Sequence, residues 1–80
     1  MKTYDKNSNK LIRVVCNCCG RELKLMDGIP VEDACSVDTL WGYFSNKDTE
    51  RHNFDLCESC YDKIVAGFKF PPEIRDTTEL

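Results

Sequence analysis

The sequence predicts a small α+β domain, and three observations lead to that prediction. Strand-like patterns occupy most of the chain before its second cysteine pair, whereas a segment with helical periodicity begins at that pair. The two pairs, Cys16 with Cys19 and Cys57 with Cys60, both have Cys-x-x-Cys spacing. The chain has 80 residues, so we expect one domain whose hydrophobic core alone contributes little stability.

The chain is predicted to form a single domain at residues 11–72. We expect residues 1–10 and 73–80 to form flexible tails on either side of it.

The first predicted element of the domain is a small hairpin. Leu11-Ile12-Arg13-Val14-Val15 predicts a short strand because it is rich in β-branched residues, and Arg21-Glu22-Leu23-Lys24-Leu25 alternates with period two. The segment Cys16-Asn17-Cys18-Cys19-Gly20 therefore lies at the hairpin tip, where Gly20 can adopt positive φ without steric cost.

A second, longer hairpin is predicted after a turn at Asp27-Gly28. Residues 31–38 are consistent with an irregular strand or with a connector. Residues 40–56 then predict two strands around an Asn46-Lys47-Asp48 loop.

The hairpin register follows from matching apolar side chains across the strands. We expect Leu40 opposite Phe54, which brings four apolar residues to one face: Leu40, Phe44, Phe54 and Leu56. Trp41 and Tyr43 then lie on the other face beside Arg51, where they are either covered by neighbouring segments or exposed to a partner.

A helix is predicted to begin at the second cysteine pair. Apolar residues recur there with helical spacing: Cys57, Cys60, Tyr61, Ile64, Val65 and Phe68. The first-turn amides of this helix can donate hydrogen bonds to thiolate sulfur. Gly67 loosens the last turn, and Pro71-Pro72 prevents continuation.

The two cysteine pairs predict a structural zinc site. Cys16, Cys19, Cys57 and Cys60 supply four sulfurs, the complete ligand set of a closed tetrahedral site. Bound Zn²⁺ would add folding free energy that so short a chain lacks. Cys18 and Cys35 lie outside this pattern, and a different choice of ligands within residues 16–19 stays open.

Three other interpretations of the cysteines are weaker. A secreted disulfide framework requires a signal peptide, which the polar residues 1–10 do not resemble, so we expect a cytoplasmic protein with reduced thiols. A thioredoxin-like redox centre requires a longer βαβ context. A rubredoxin-like iron site would place both pairs in glycine-containing turns, whereas the second pair here leads into a helix.

Charge and hydropathy restrict the partners. The formal net charge is −3, and four thiolates with one divalent ion would make it −5. An acidic domain is a poor match for the phosphate backbone of nucleic acids. The chain also has no apolar run of the roughly 20 residues that a membrane-spanning helix needs.

The first hairpin, with Cys16 to Gly20 at its tip, is of the kind called a zinc knuckle. The order of knuckle hairpin, long hairpin and cysteine-bearing helix is that of a treble-clef zinc finger. The run Gly42-Tyr43-Phe44-Ser45-Asn46-Lys47-Asp48, followed by Phe54-Asp55-Leu56-Cys57-Glu58-Ser59-Cys60-Tyr61-Asp62-Lys63-Ile64, resembles a family of short, uncharacterised bacterial zinc-ribbon-like proteins. These proteins begin with a Cys-x-x-Cys-Gly turn like that of Cys16 to Gly20. The resemblance covers about residues 14–72 and implies four metal-binding cysteines and a bacterial cytoplasmic setting, without implying an activity.

The predicted function is a zinc-stabilised protein-interaction module with Trp41, Tyr43 and Arg51 as contact residues. A nucleic-acid accessory protein is the alternative, since a basic face could form from four residues of the first hairpin region: Lys10, Arg13, Arg21 and Lys24. A thiol-based redox protein is less favoured. We do not expect an enzyme, because four cysteine ligands leave the metal no open position and His52 is the only histidine.

Overall fold

The computed structural model describes residues 1–77 and confirms the small α+β class, with antiparallel hairpins followed by a helix. The elements in chain order are β1 (Lys2–Tyr4), β2 (Leu11–Val15), β3 (Glu22–Leu23), β4 (Leu25–Met26), β5 (Ile29–Pro30), β6 (Ala34–Leu40), β7 (Arg51–Cys57) and α1 (Glu58–Ala66). Strands β1, β2 and β3 form one sheet, and β4–β5 and β6–β7 form two hairpins.

The amino-terminal segment is not the flexible tail predicted for residues 1–10. Residues 2–4 form β1, which pairs antiparallel with β2 so that Lys2 lies opposite Val14. The segment is polar, but its backbone completes the free edge of β2, and polarity alone does not reveal such pairing. At the other end, residues 73–77 contain neither helix nor strand, and the rest of the predicted tail at 73–80 lies outside the described residues.

The first cysteine pair lies at a hairpin tip, as predicted. Strand β2 pairs with β3 through Val14 opposite Leu23 and Val15 opposite Glu22. Gly20 has φ of +82°, the left-handed conformation that glycine adopts without strain. The Asp27-Gly28 turn is also present, with positive φ at both residues, and it joins β4 to β5.

The long hairpin has a different register from the predicted one. Leu40 pairs with Arg51 and not with Phe54, and the ambiguous segment 31–38 supplies most of β6. The chain therefore turns through a ten-residue loop at 41–50, which we call the hairpin loop, instead of a three-residue one. Two consequences are clear: Phe44 is 98% exposed, and Leu40 is 62% exposed, so neither lies on a buried face with Leu56.

The observed register is fixed by residues that pack near the cysteines. Cys35 pairs with Leu56, and Ala34 pairs with Cys57. Leu56 is buried and Cys35 packs against the core beside it. Matching the most apolar side chains within the hairpin predicted the wrong pairs because burial in this protein is concentrated around the cysteines.

The helix begins where it was predicted and packs mainly through its first turn. Cys57 is the N-cap, and Gly67 ends the helix by donating its N–H to the Ile64 carbonyl. Within the helix Cys60 is the buried residue, whereas Ile64 is 45% exposed and Phe68, just beyond the helix, is 51% exposed. The predicted apolar side of the helix is thus fully covered only near the cysteines, and Val65 in the last turn is half-buried.

The core is small and half of its main cluster is cysteine. The cluster of buried residues contains Val14, Cys16, Leu23, Leu56, Cys57 and Cys60. It lies where the knuckle hairpin β2–β3 meets β7 and the start of α1.

Asp55 is a buried carboxylate, only 4% exposed, that joins the amino terminus to β7. Its oxygens accept hydrogen bonds from the Met1 amino group at 2.6 Å, the Ser36 hydroxyl at 2.6 Å and the Lys2 ammonium. Burial alone would raise the pKa of Asp55, but the hydrogen bonds from Lys2, Met1 and Ser36 outweigh burial and hold this pKa well below its ordinary value.

We predict that Asp55→Asn lowers the free energy of unfolding of the metal-loaded protein by about 1.5–3 kcal/mol, because charged hydrogen bonds are lost. The folded-state pKa lies below the unfolded-state value of 3.8. The stabilisation is therefore complete above pH 3.8 and is lost as the pH falls below it. Urea unfolding of both proteins at pH 7 and pH 5 measures the difference.

Asp38→Asn is the matched control. Asp38 is exposed and pairs with Arg51 at 3.0 Å, so its replacement should cost no more than about 1 kcal/mol. A difference between wild type and Asp55→Asn that shrinks from pH 7 to pH 5 would contradict the lowered pKa of Asp55.

Candidate metal centre

The knuckle at residues 16–20 directs two sulfurs to one point. The Gly20 N–H donates to the Cys16 carbonyl at 2.9 Å and closes the turn, and the Cys16 N–H donates to the Arg21 carbonyl at 2.9 Å. This turn places Cys16 inside the core at 1% exposure, while Cys19 remains exposed at its edge. The first pair therefore has one inner and one outer sulfur.

The second pair is positioned by the direct passage from β7 into α1. Cys57 ends the strand in an extended conformation, with φ −71° and ψ 162°, and caps the helix. Cys60 lies in the first helical turn and is buried. Both side chains of this pair are therefore in the core.

Asn17 fastens the knuckle to β7. The Asn17 N–H donates to the Asp55 carbonyl at 2.8 Å, and the Asp55 N–H donates to Asn17 Oδ1 at 2.9 Å. Asn17 Oδ1 also accepts a hydrogen bond from the Met1 amino group at 2.6 Å. No sequence signal points to Asn17, because its partners lie at remote positions in the chain.

The structure brings the four predicted cysteines together. The sulfurs of Cys16, Cys19, Cys57 and Cys60 all lie within 4.8 Å of one another. The Cys19 and Cys57 sulfurs are 3.8 Å apart. Tetrahedral Zn²⁺ with bonds of about 2.3 Å separates its sulfurs by about 3.8 Å, so the cluster could hold a metal ion of this kind with little adjustment.

Backbone amides prepare part of the cluster for the thiolate form. The Cys19 N–H donates to Cys16 Sγ at 3.5 Å and, with the amide of Cys57, lowers the pKa of Cys16 to about 6. The Cys60 amide likewise lowers the pKa of Cys57. The pKa of Cys60 is raised, first by its contact with the Cys57 sulfur and then by burial, because a neighbouring sulfur and a low-polarity environment both disfavour a negative charge on Cys60.

Arg21 places a positive charge beside the cluster. Its guanidinium is 3.1 Å from the Glu32 carboxylate, and the pKa of Arg21 is raised first by Glu32 and then by the nearby Cys57 thiol. A cation at this position offsets negative charge on the thiolates. The sequence suggested Arg21 only as part of a basic face.

The two remaining cysteines occupy different surroundings. Cys18 is exposed on the knuckle, and Cys35 is half-buried in β6, where it packs against the core. All six cysteines are free thiols.

The three predicted contact residues lie in or beside the hairpin loop. Trp41 is half-buried, and its Nε1–H donates to His52 Nδ1 at 3.1 Å. Tyr43 is 81% exposed. Arg51 is exposed and paired with Asp38. Phe44, which the predicted register had assigned to the buried face, lies exposed beside Tyr43.

The fold and the site together define a small α+β protein with a four-cysteine cluster able to bind a metal ion. No protein-family model, curated protein or solved structure matches this chain. Within residues 1–77, no helix is long and apolar enough to cross a membrane.

We predict that Cys57→Ser or Cys60→Ser abolishes metal binding and cooperative unfolding, because each removes a buried sulfur from the cluster. Cys35→Ser is the matched control, since it replaces a thiol of the same core without removing a cluster sulfur. Metal content after gel filtration and thermal unfolding followed by circular dichroism measure both effects. Equal loss in all three variants would contradict the assignment of the cluster.

Proposed function

We propose that the protein is a treble-clef-like zinc protein in which one Zn²⁺ binds Cys16, Cys19, Cys57 and Cys60. The proximity of these four sulfurs carries the proposal. The order of elements supports it, since a knuckle hairpin supplies one pair and the start of a helix supplies the other. A cytoplasmic location would keep the thiols reduced and available to the ion.

The proposed role of the ion is structural. Four protein sulfurs fill a tetrahedral coordination sphere and leave no position for water or substrate, so we do not propose an enzyme. Three of the four sulfurs belong to residues of the core cluster, Cys16, Cys57 and Cys60. An ion bound there joins the knuckle to α1 and contributes its binding free energy to folding.

We further propose that the hairpin loop is a binding surface for another protein. The rings of Tyr43 and Phe44 contact each other edge to face, with centroids 5.2 Å apart, and both are largely exposed. Trp41, held by His52, lies at the base of the loop, and Arg51 flanks it. Tyrosine, tryptophan and arginine are the residues that contribute most often to binding energy at protein interfaces.

The loop is also ordered before any partner binds. The Trp41 N–H donates to the Glu50 carbonyl at 2.9 Å, and the Glu50 N–H donates to the Lys47 carbonyl at 2.9 Å. The Lys47 ammonium lies over the Trp41 ring, 4.3 Å from its centroid. Because these contacts fix the loop, little conformational entropy remains to be lost on binding.

Pairing of the basic residues favours a protein partner over a nucleic acid. Arg13 is 3.5 Å from Glu22, and Arg21 is bound to Glu32. These ion pairs interrupt the basic face that a nucleic-acid accessory protein would need.

We predict that the purified, reduced protein contains one equivalent of zinc and unfolds when a strong chelator removes it. Elemental analysis and circular dichroism before and after chelation measure the two effects. Iron in place of zinc would correct the metal but retain the four-sulfur site. A protein that stays folded and metal-free with oxidised thiols would overturn the proposal.

We predict that Tyr43→Ala/Phe44→Ala abolishes binding of a protein partner without lowering thermal stability, because both rings are exposed. Affinity purification from a native bacterial lysate, with the partner identified by mass spectrometry, measures binding. Phe70→Ala is the matched control because Phe70 is an exposed aromatic residue outside the loop.

The outcome against this proposal is retention of the same partner by the double variant and by the wild type. Salt-dependent retention of the wild-type protein on a DNA column, with no dependence on Tyr43 or Phe44, would favour the nucleic-acid alternative instead.

A further inference from the structure

Strand β6 is an edge of the two-stranded sheet that it forms with β7. The backbone of Asp55 shows which groups of this sheet point outward, because its N–H and its carbonyl both bond to Asn17 and so point away from β6. Ser36 is paired with Asp55, and in an antiparallel ladder the two residues of such a pair direct their backbone groups away from each other. The outward-bonding positions of β6 are therefore its even-numbered residues, Ala34, Ser36, Asp38 and Leu40.

Two further observations agree with this assignment of the edge. Just past the end of β6, the Trp41 N–H donates to the Glu50 carbonyl at 2.9 Å, so the odd-numbered positions bond inward. The even-numbered residues of β6 are exposed, whereas the odd-numbered ones are half-buried. Within residues 1–77, no outward backbone group of β6 has a hydrogen-bond partner in the protein. Four N–H groups and four carbonyls are thus available to another strand.

The edge also lacks the features that usually prevent pairing with another strand. Natural edge strands are commonly protected by lysine, by proline, by a bulge or by a very short length. Strand β6 has seven residues without lysine or proline, and its register with β7 contains no bulge. Its one charged residue, Asp38, is balanced by Arg51 at 3.0 Å. The edge can therefore accept a further strand along its whole length.

We propose that β6 pairs antiparallel with β6 of a second copy of this chain, with the two-fold axis at Val37. In this register Ser36 of each copy lies opposite Asp38 of the other. Ala34 of each copy lies opposite Leu40 of the other, so the outward-bonding positions of both strands meet. The two long hairpins then form one four-stranded sheet. This inference depends neither on the metal centre nor on the hairpin loop as a binding surface.

The neighbouring symmetric registers are less favourable. An axis at Asp38 would place two carboxylates directly opposite each other, which is destabilising. An axis at Ser36 would leave Leu40 beyond the end of the opposite strand. The axis at Val37 avoids both, and it covers part of Leu40, which is 62% exposed in the single chain.

Charge complementarity favours a second copy as the occupant of this edge. The Lys2 ammonium donates to the Ser36 hydroxyl at 3.0 Å and to Asp55, so two of its three N–H donors are used. Asp38 accepts hydrogen bonds on Oδ1 from its own chain, and within residues 1–77 its Oδ2 has no partner. Since Asp38 of the second copy lies opposite Ser36 on the same face, its carboxylate comes close to the Lys2 ammonium. The symmetry produces this pairing twice.

Sedimentation equilibrium of the purified, reduced full chain tests the proposal. We expect a monomer–dimer equilibrium at concentrations up to about 1 mM, because one pair of short strands forms a small interface. Asp38→Pro removes an outward N–H and leaves the bonds to β7 in place, so it should dimerise about 30-fold or more weakly than Asp38→Ala. Asp38→Ala is the matched control, since it loses the same carboxylate but keeps the N–H. It should dimerise within about fivefold of the wild type.

Amide hydrogen exchange of the wild type tests the register without any substitution. Between concentrations at which the chain is mostly monomeric and mostly dimeric, exchange of the Ser36 and Asp38 N–H groups should slow by about tenfold. Exchange at Val37 should not change, because its N–H points to β7 in both states. Nuclear magnetic resonance spectra over a concentration series measure these rates.

Three results would overturn the proposal. The first is a wild type that stays monomeric at about 1 mM. The second is a dimer that Asp38→Pro and Asp38→Ala form equally well, since another surface would then hold it together. The third is protection of the Ser36 and Asp38 amides only when a different protein is added, which would assign the edge to that protein. Each of these results leaves the four-sulfur site standing, because metal analysis tests that site separately.

Discussion

Convergence of four cysteine sulfurs is the constraint on which the rest of the structure depends. The sulfurs lie within 4.8 Å of one another, although the two pairs come from opposite parts of the chain. Around them the buried cluster adds only Val14, Leu23 and Leu56. So few apolar side chains offset little of the conformational entropy lost on folding. A cation bound by the four sulfurs would balance their negative charge and add its binding free energy to folding.

Local signals in the sequence were sufficient for the knuckle and for the start of α1. Gly20 after a cysteine pair favours a turn with positive φ, and the helical periodicity that begins at Cys57 indicates where the helix starts. The hairpin register could not be derived in this way, because it depends on Cys35 meeting Leu56 near a core that the strands themselves help to form. The Asp55 contacts were also beyond prediction, since Met1, Lys2 and Asn17 are remote from Asp55 in sequence.

Complete burial within α1 is confined to its cysteine end. Cys60 is buried, Tyr61 and Val65 are half-buried, and Ile64 is exposed. The helix is therefore packed most closely against the core at its first turn. The four predicted metal ligands could be derived from the local turn of each cysteine pair. The exposure of the predicted contact residues could not, because it depends on the register of the long hairpin.

The hairpin loop belongs to the long segment between the two cysteine pairs, whose Cys19 and Cys57 are 38 positions apart. The entropy needed to close such a ring grows only logarithmically with its length, and doubling the segment costs about 0.6 kcal/mol. The loop at 41–50 can therefore gain residues with little entropic cost to bringing the four cysteines together. Changes in the length and sequence of the hairpin loop can therefore alter the exposed surface while the four cysteines keep their positions.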